Sequence, residues 1–371
     1  MRAALTLLLL ALVGAGCADA STSAGDEESE DAVVIDNRTP LARAQYQANV
    51  QFAKSYAAKC LRTEGTRPRV LVTGFGRFMH IQDNATGRIV SRLSSLEYPM
   101  TNAPEPGAID PPDAQARSGT LMRMRLPKIG EVDVCGMILP VFWDLAAILI
   151  AKEVEAFKPD LVIMNGVAGS RQELYIELGS VNRAMRSSDG SDILVPYAPE
   201  GREPEIIQRA LPTRGLRMSW DAVQAAAALS IRERADVGDG DLKLGDVLTG
   251  AKLAGFPRGG NTYLCNNVTY VTNYLMENPR RQVTLLKALD RSGPEDDYVK
   301  ISVSHDLRKT PRVFMHWPSD LVGHNPLLDA ATGVLKDVID AQLMALKSGV
   351  DAPTVGENGR ADPSLQGGGF F

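Results

Sequence analysis

The chain has 371 residues, enough for one large domain or two small ones, and 44% of them are hydrophobic, which sustains a sizeable core. Forty Lys and Arg face 45 Asp and Glu, giving a formal net charge of −5. With no run of basic residues, this balance excludes the electrostatic footprint of a nucleic-acid-binding protein.

The first 20 residues, MRAALTLLLLALVGAGCADA, place Arg2 before an apolar run from Ala3 to Val13 and end in small residues. This is the order of an export signal, and the run is too short to span a bilayer. Two processing readings stay open. ADA at residues 18–20 offers a cleavage site before Ser21, and LVGAGC resembles a bacterial lipobox with Cys17 as the lipidated residue, although Gly14 stands where Leu is usual. The expectation is an exported protein: periplasmic, anchored to the outer membrane as a lipoprotein, or secreted. Residues 21–40 are acidic and polar and read as a disordered tether. The folded body is expected as a single domain over residues 41–347, with a flexible Gly- and Pro-rich tail over 348–371.

Within the body, RVLVTGFGRF (69–78) begins as a buried strand and ends in a Gly-containing turn. NATGRIVSRL (84–93) has helical spacing, whereas residues 100–118 hold too much proline for regular structure. GTLMRMRLP and DVCGMILPV read as two strands joined by a turn, DLAAILIAKEVEAF as a helix, and DLVIMNGVAGS as a second buried strand. SWDAVQAAAALSIRERAD is a helix with Ser219 as its expected cap, and CNNVTYVTNYLME is a helix that follows Cys265. QVTLLKAL, YVKISVSH and RVFMHWP read as strands. The last helix is expected over NPLLDAATGVLKDVIDAQLMALK, with Asn325 as cap and Pro326 at the first helical position. Alternation of strands and helices predicts an α/β fold with a mostly parallel sheet, whose ligands bind beyond the carboxyl ends of the strands. TGFG and GVAGS both lie at such ends. The G-x-G of TGFGRF has Met79 in place of a third glycine, so it reads as a tight turn and not as a dinucleotide loop.

After the export segment the cysteines number three: Cys60, Cys135 and Cys265. In an oxidising compartment Cys60 and Cys135 are a candidate disulfide, which leaves Cys265 as the odd thiol. No cysteine or histidine pair has zinc-ligand spacing, so no structural zinc is expected. A cysteine nucleophile needs a base, and the base needs an orienting acceptor. Of the four histidines, His316 closes an apolar strand just before Pro318, a position from which a side chain can meet Cys265; His305 also lies near a strand end but is followed by the charged DLRK. For the acid, Glu173 and Glu177 both follow the DLVIMNGVAG strand, and alternation puts them on one face. Spacing alone does not choose between them.

Four segments, in order, resemble the type I pyroglutamyl peptidases (pyrrolidone-carboxylate peptidases), a family of cysteine peptidases. They are VLVTGFGRF; ILPV followed by a helix and FKPDLVIMNGVAGSRQELYIELGSVN, with its spacing from Arg171 to Glu177 and from Glu177 to Asn182; GGNTYLCN; and RVFMHWP. Together they span Val70 to Pro318. The resemblance implies a three-layer α/β/α fold with an open twisted sheet, no metal and no cofactor. It implies Cys265 as nucleophile, His316 as general base and then acid, and Glu177, over Glu173, as the group orienting the imidazole. Phe75 and Phe78 match aromatic residues that line the family's substrate pocket, and Leu264 is a further candidate wall. The implied substrates are peptides with an N-terminal pyroglutamyl residue; the oligomeric state stays open. The sequence departs from the pattern at Arg77, where Pro is usual, and at Ser170, where Gly is usual. Residues 280–300 and 237–260 read as insertions. These departures keep two alternatives in view: a catalytically silent envelope lipoprotein that uses the fold for binding, and an amidase with shifted substrate preference.

Overall fold

The computed structural model describes residues 30–31, 33–169, 171–291 and 298–360. The export segment 1–20 with Cys17, Ser170 and residues 361–371 lie outside the described residues. The main sheet has seven strands: β1 (Arg69–Phe75), β2 (Arg117–Leu126), β3 (Gly130–Leu139), β4 (Leu161–Val167), β5 (Glu173–Glu177), β6 (Gly250–Ala254) and β7 (Arg312–Trp317). Their spatial order is β6-β5-β7-β4-β1-β3-β2. The central four, β7, β4, β1 and β3, are mutually parallel, with His316 opposite Gly166 and Thr73 opposite both Met164 and Met137. These strands read as continuous apolar runs because helices cover both faces. β2 returns antiparallel to β3, β5 runs antiparallel to β7, and β6 is parallel to β5.

The helices are α1 (Pro40–Ser55), α2 (Ala85–Ser94), α3 (Leu145–Phe157), α4 (Trp220–Glu233), α5 (Leu264–Glu277) and α6 (Asn325–Lys347). One layer holds α2, α4 and α6; the other holds α1, α3 and α5, with α5 against β7. This is the expected α/β/α arrangement of a mostly parallel sheet between helices. Among the described residues, no helix is long and apolar enough to cross a membrane.

Several boundaries differ from the sequence reading. Residues expected in a disordered tether contribute a strand, Val34–Asp36, which pairs with Val195–Tyr197 and Lys287–Ala288 and buries Ile35 completely. Apolar Val33 and Ile35 are too few to register against the acidic run before them. The helix α1 begins at Pro40, where Thr39 caps it by accepting from the Ala42 N–H at 3.1 Å. Part of the expected flexible tail is held down: the carbonyls of Asp351, Ala352 and Pro353 accept hydrogen bonds from Ser219, Arg217 and Trp220. Ser219 therefore occupies the cap position of α4 without a capping bond, because its hydroxyl is engaged by Asp351 and Gln342. At α6 the cap is His324, one residue before the expected Asn325. The proline-rich stretch 100–118 contains a short helix, Pro112–Gln115, and the start of β2. The second presumed insertion supplies β6, an edge strand of the main sheet.

Cys60 and Cys135 form a disulfide with Cα atoms 5.9 Å apart, joining the segment after α1 to β3. Beside it, Glu153 of α3 accepts from the Tyr56 hydroxyl at 2.6 Å and from the Lys59 and Cys60 N–H groups at 2.9 Å. This buried carboxylate is thus used to fasten the chain that leaves α1.

Candidate active site

Cys265 stands in the first turn of α5, after Tyr263 at the cap position, and is the free cysteine among the described residues. The Tyr263 side chain makes no capping bond, and Cys265 lies in the first turn, at the partially positive end of the helix dipole. Two asparagines that follow the cysteine fix the helix start. Asn267 exchanges hydrogen bonds with Asp144, accepting from its N–H at 3.1 Å and donating to Oδ1 at 3.0 Å. Asn266 accepts from the Val181 N–H and donates to the Val181 and Arg183 carbonyls, all at 2.9 Å. Asp144 is fully buried, and burial raises its carboxyl to about 6 against the bonds from Asn267 and Leu286.

His316 and Glu177 are brought together by the antiparallel pairing of β7 with β5. His316 lies opposite Tyr175, so Glu177, two residues on, shares its face at a diagonal position. His316 Nδ1 is 3.1 Å from Glu177 Oε1, and both side chains are buried. Burial disfavours the imidazolium, but the Glu177 charge and the interaction with Cys265 outweigh it, and the imidazole is pushed up to about 10. Glu173, on the same face at the other end of β5, instead pairs with Lys252 at 2.9 Å and accepts from the Tyr175 hydroxyl at 2.7 Å. His305 is 3.2 Å from Glu155 on α3, away from the cysteine.

Gly166 on β4 makes this approach sterically feasible. A Cβ there would lie 2.7 Å from Phe314 Cζ and 2.9 Å from Cys265 Sγ. The sulfur therefore rests against a bare stretch of strand, beside Phe314, whose ring is 4.8 Å from that of His316.

A cavity of about 250 Å³ opens beside the cysteine at the carboxyl ends of β1, β3, β4 and β7. Phe75, Phe78, Val141, Val167, Leu264 and Val322 supply apolar wall, and Cys265 lines it. Tyr263 closes one side, edge-on to Phe78 and Trp143 at 6.0 and 5.5 Å, with its hydroxyl donating to the Ser188 carbonyl at 2.5 Å. Asp83, also in the lining, is paired with Arg88 at 2.6 Å. Two further lining residues are tied together: Ser319 donates to the Gly169 carbonyl through both its N–H (3.0 Å) and its hydroxyl (2.7 Å). A thiol in the lining of an apolar cavity packs on Gly166, and an imidazole paired with a carboxylate stands opposite Gly166 on the next strand; these are group types that acyl transfer to sulfur employs.

No family model matches the chain. Over 138 residues it is 28% identical to the pyrrolidone-carboxylate peptidase of Pyrococcus furiosus, a match covering 35% of this chain and 51% of the relative. The chain is related to the pyrrolidone-carboxylate peptidases. The match spans about half the length of that curated relative. Among solved structures, the pyroglutamyl peptidase I of Bacillus amyloliquefaciens aligns with 15% identity and a TM-score of 0.46, covering 75% of this chain and 98% of the other. The pyrrolidone carboxyl peptidase of Thermococcus litoralis aligns with 18% identity and a TM-score of 0.47, covering 78% and 99%.

Of the residues singled out in the sequence, Phe75, Phe78, Leu264 and Cys265 line the cavity, and Glu177 and His316 form a buried pair on the adjoining strands. The resemblance did not point to Gly166, Tyr263, Asp144 or Asn267. A signal for Gly166 was present: a glycine inside an otherwise bulky strand marks a close approach.

Proposed function

We propose that the chain is a cysteine peptidase that removes N-terminal pyroglutamyl residues. The observation that carries this reading is the buried His316–Glu177 pair, 3.1 Å apart, on a strand that sets His316 opposite Gly166, the residue against which the cavity-lining Cys265 sulfur packs. In this reading the Cys265 thiolate attacks the carbonyl carbon of the pyroglutamyl residue. The carbonyl oxygen takes the negative charge, and first-turn N–H groups of α5 receive it. His316, protonated, donates to the leaving amine as the C–N bond breaks. Water then attacks the thioester, His316 takes its proton, and pyroglutamate leaves. Glu177 holds the imidazole's orientation and stabilises its charged form.

The cavity chemistry supports a compact neutral acyl group. Among the described residues its lining presents no Lys, Arg or His, and its carboxylate, Asp83, is paired with Arg88. A lactam ring suits such walls, whereas a free terminal ammonium would be desolvated without a partner. The test is hydrolysis of a pyroglutamyl-amidocoumarin under reducing conditions, compared with alanyl and acetyl analogues. Release of fluorophore from the pyroglutamyl compound by wild type and not by Cys265→Ala is expected. Preference for another acyl group would favour the amidase alternative. No hydrolysis by folded protein, with slow alkylation of Cys265, would favour a binding role.

We further infer that the protein is exported. The Arg2, apolar run and small-residue order of the first 20 residues supports this, and the Cys60–Cys135 disulfide suits an oxidising compartment. The mass of the mature N-terminus distinguishes lipidated Cys17 from a chain beginning at Ser21.

A further inference from the structure

Arg77 belongs to the loop that brings Phe78 and Ile81 to the cavity, yet its side chain is only 1% exposed. The loop makes a tight reversal: Phe78 and Ile81 exchange backbone hydrogen bonds at 3.1 and 2.8 Å, and between them Met79 takes a left-handed φ of 49°. Such a conformation is costly for a residue with a side chain and persists where its surroundings over-determine it. Here they do. Arg77 Nη1 donates to the Met79 carbonyl at 2.7 Å, and the Met79 N–H donates to the Gly190 carbonyl at 3.0 Å.

The other arm of the guanidinium reaches into the body. Arg77 Nη2 donates to Asp110 Oδ1 at 2.5 Å, and Gln115 donates to Asp110 Oδ2. The Asp110 backbone is gripped in turn by Gln45 of α1, which accepts from its N–H at 2.6 Å and donates to its carbonyl at 2.8 Å. Asp110, Gln115 and Gln45 are fully buried. An ion pair taken this far from water contributes little net stability, because desolvation offsets its attraction. Its directional bonds fix geometry instead.

We propose that Arg77 and Asp110 are positioning residues for the acyl-group cavity: through them α1 holds the 76–81 turn, and with it Phe78, in the shape that receives substrate. This rests on the peptidase reading for its substrate, but the brace itself is read independently. Burial raises the Asp110 carboxyl despite Arg77. Removing Arg77 alone would therefore leave a buried carboxylate without its cation and risks unfolding. The paired variant Arg77→Met with Asp110→Asn removes both charges at nearly constant volume.

The experiment uses full-length protein. It measures pyroglutamyl-amidocoumarin kinetics, the iodoacetamide alkylation rate of Cys265, and amide hydrogen exchange over residues 76–84. The paired variant is expected to raise KM about tenfold with kcat within about threefold, leave alkylation nearly unchanged, and speed exchange in the loop. Arg77→Lys, which keeps the charge but not the fork, is expected to give an intermediate KM. A folded paired variant with wild-type KM, or one in which KM, kcat and alkylation all deteriorate together, would overturn the proposal. If wild type fails to turn over substrate, the peptidase reading falls; exchange then decides the brace, with faster loop exchange in the variant supporting it and unchanged exchange overturning it.

Discussion

Glu177 Oε1 lies 3.1 Å from His316 Nδ1 across two antiparallel strands, with neither group open to solvent. The other carboxylate oxygen, Oε2, is buried and accepts no hydrogen bond among the described residues. The imidazole is therefore the dominant partner of this carboxylate. Glu177→Gln preserves shape and removes the charge, so it is expected to lower kcat on the order of 10²–10⁴-fold. Cys265→Ala is expected to abolish turnover. Steady-state rates of the two variants, measured beside wild type, check the ranking.

The same pair gives stability a pH dependence. The folded imidazole is raised from 6.5 to about 10, with burial opposing and Glu177 and Cys265 outweighing it. Charged His316 thus favours the folded state; its contribution is full below about pH 6.5 and is lost as pH rises through about 10. Thermal unfolding midpoints of wild type should fall across that window, and those of Glu177→Gln should fall less. Parallel curves would contradict the assignment.

Gly166→Ala tests the close approach of sulfur to strand. The added methyl would meet Phe314 and Cys265 at under 3.0 Å, so a side chain must move. A destabilisation of about 1–3 kcal/mol is expected from overpacking. Alkylation of Cys265 and peptidase turnover should both change by more than that stability loss explains, read by denaturant titration alongside iodoacetamide kinetics.

The disulfide closes a sequence separation of 75 residues, and its removal by Cys60→Ser with Cys135→Ser is expected to cost about 2–4 kcal/mol. Cys265 lies elsewhere and should alkylate at the wild-type rate. A double-serine variant with unchanged unfolding midpoint would show that Glu153 and its three donors suffice to hold the segment.

Much of this was legible in sequence because the central strands are buried on both faces and so read as apolar runs, and because the site gathers at their carboxyl ends. Cys265 and His316 stood out as rare residue types at element boundaries. Choosing Glu177 over Glu173 was beyond local pattern, since both share a face; the register of β5 against β7 separates them, sending one to His316 and the other to Lys252. That β5 runs against its neighbour is a property of the whole chain path. The order in residues 34–36 and 351–357 was also hidden: these segments have few apolar residues, and are held by backbone groups whose partners lie far away in sequence.

A minimal fragment drawn around the sheet would begin near Arg69 and retain Cys265, His316 and Glu177. It would also discard Gln45 and Cys60, and with them the grip on Asp110 and the clamp to β3. A boundary drawn from the sheet alone would therefore cut away chain that sits in the core and that anchors, from far off in sequence, the turn beside the cavity.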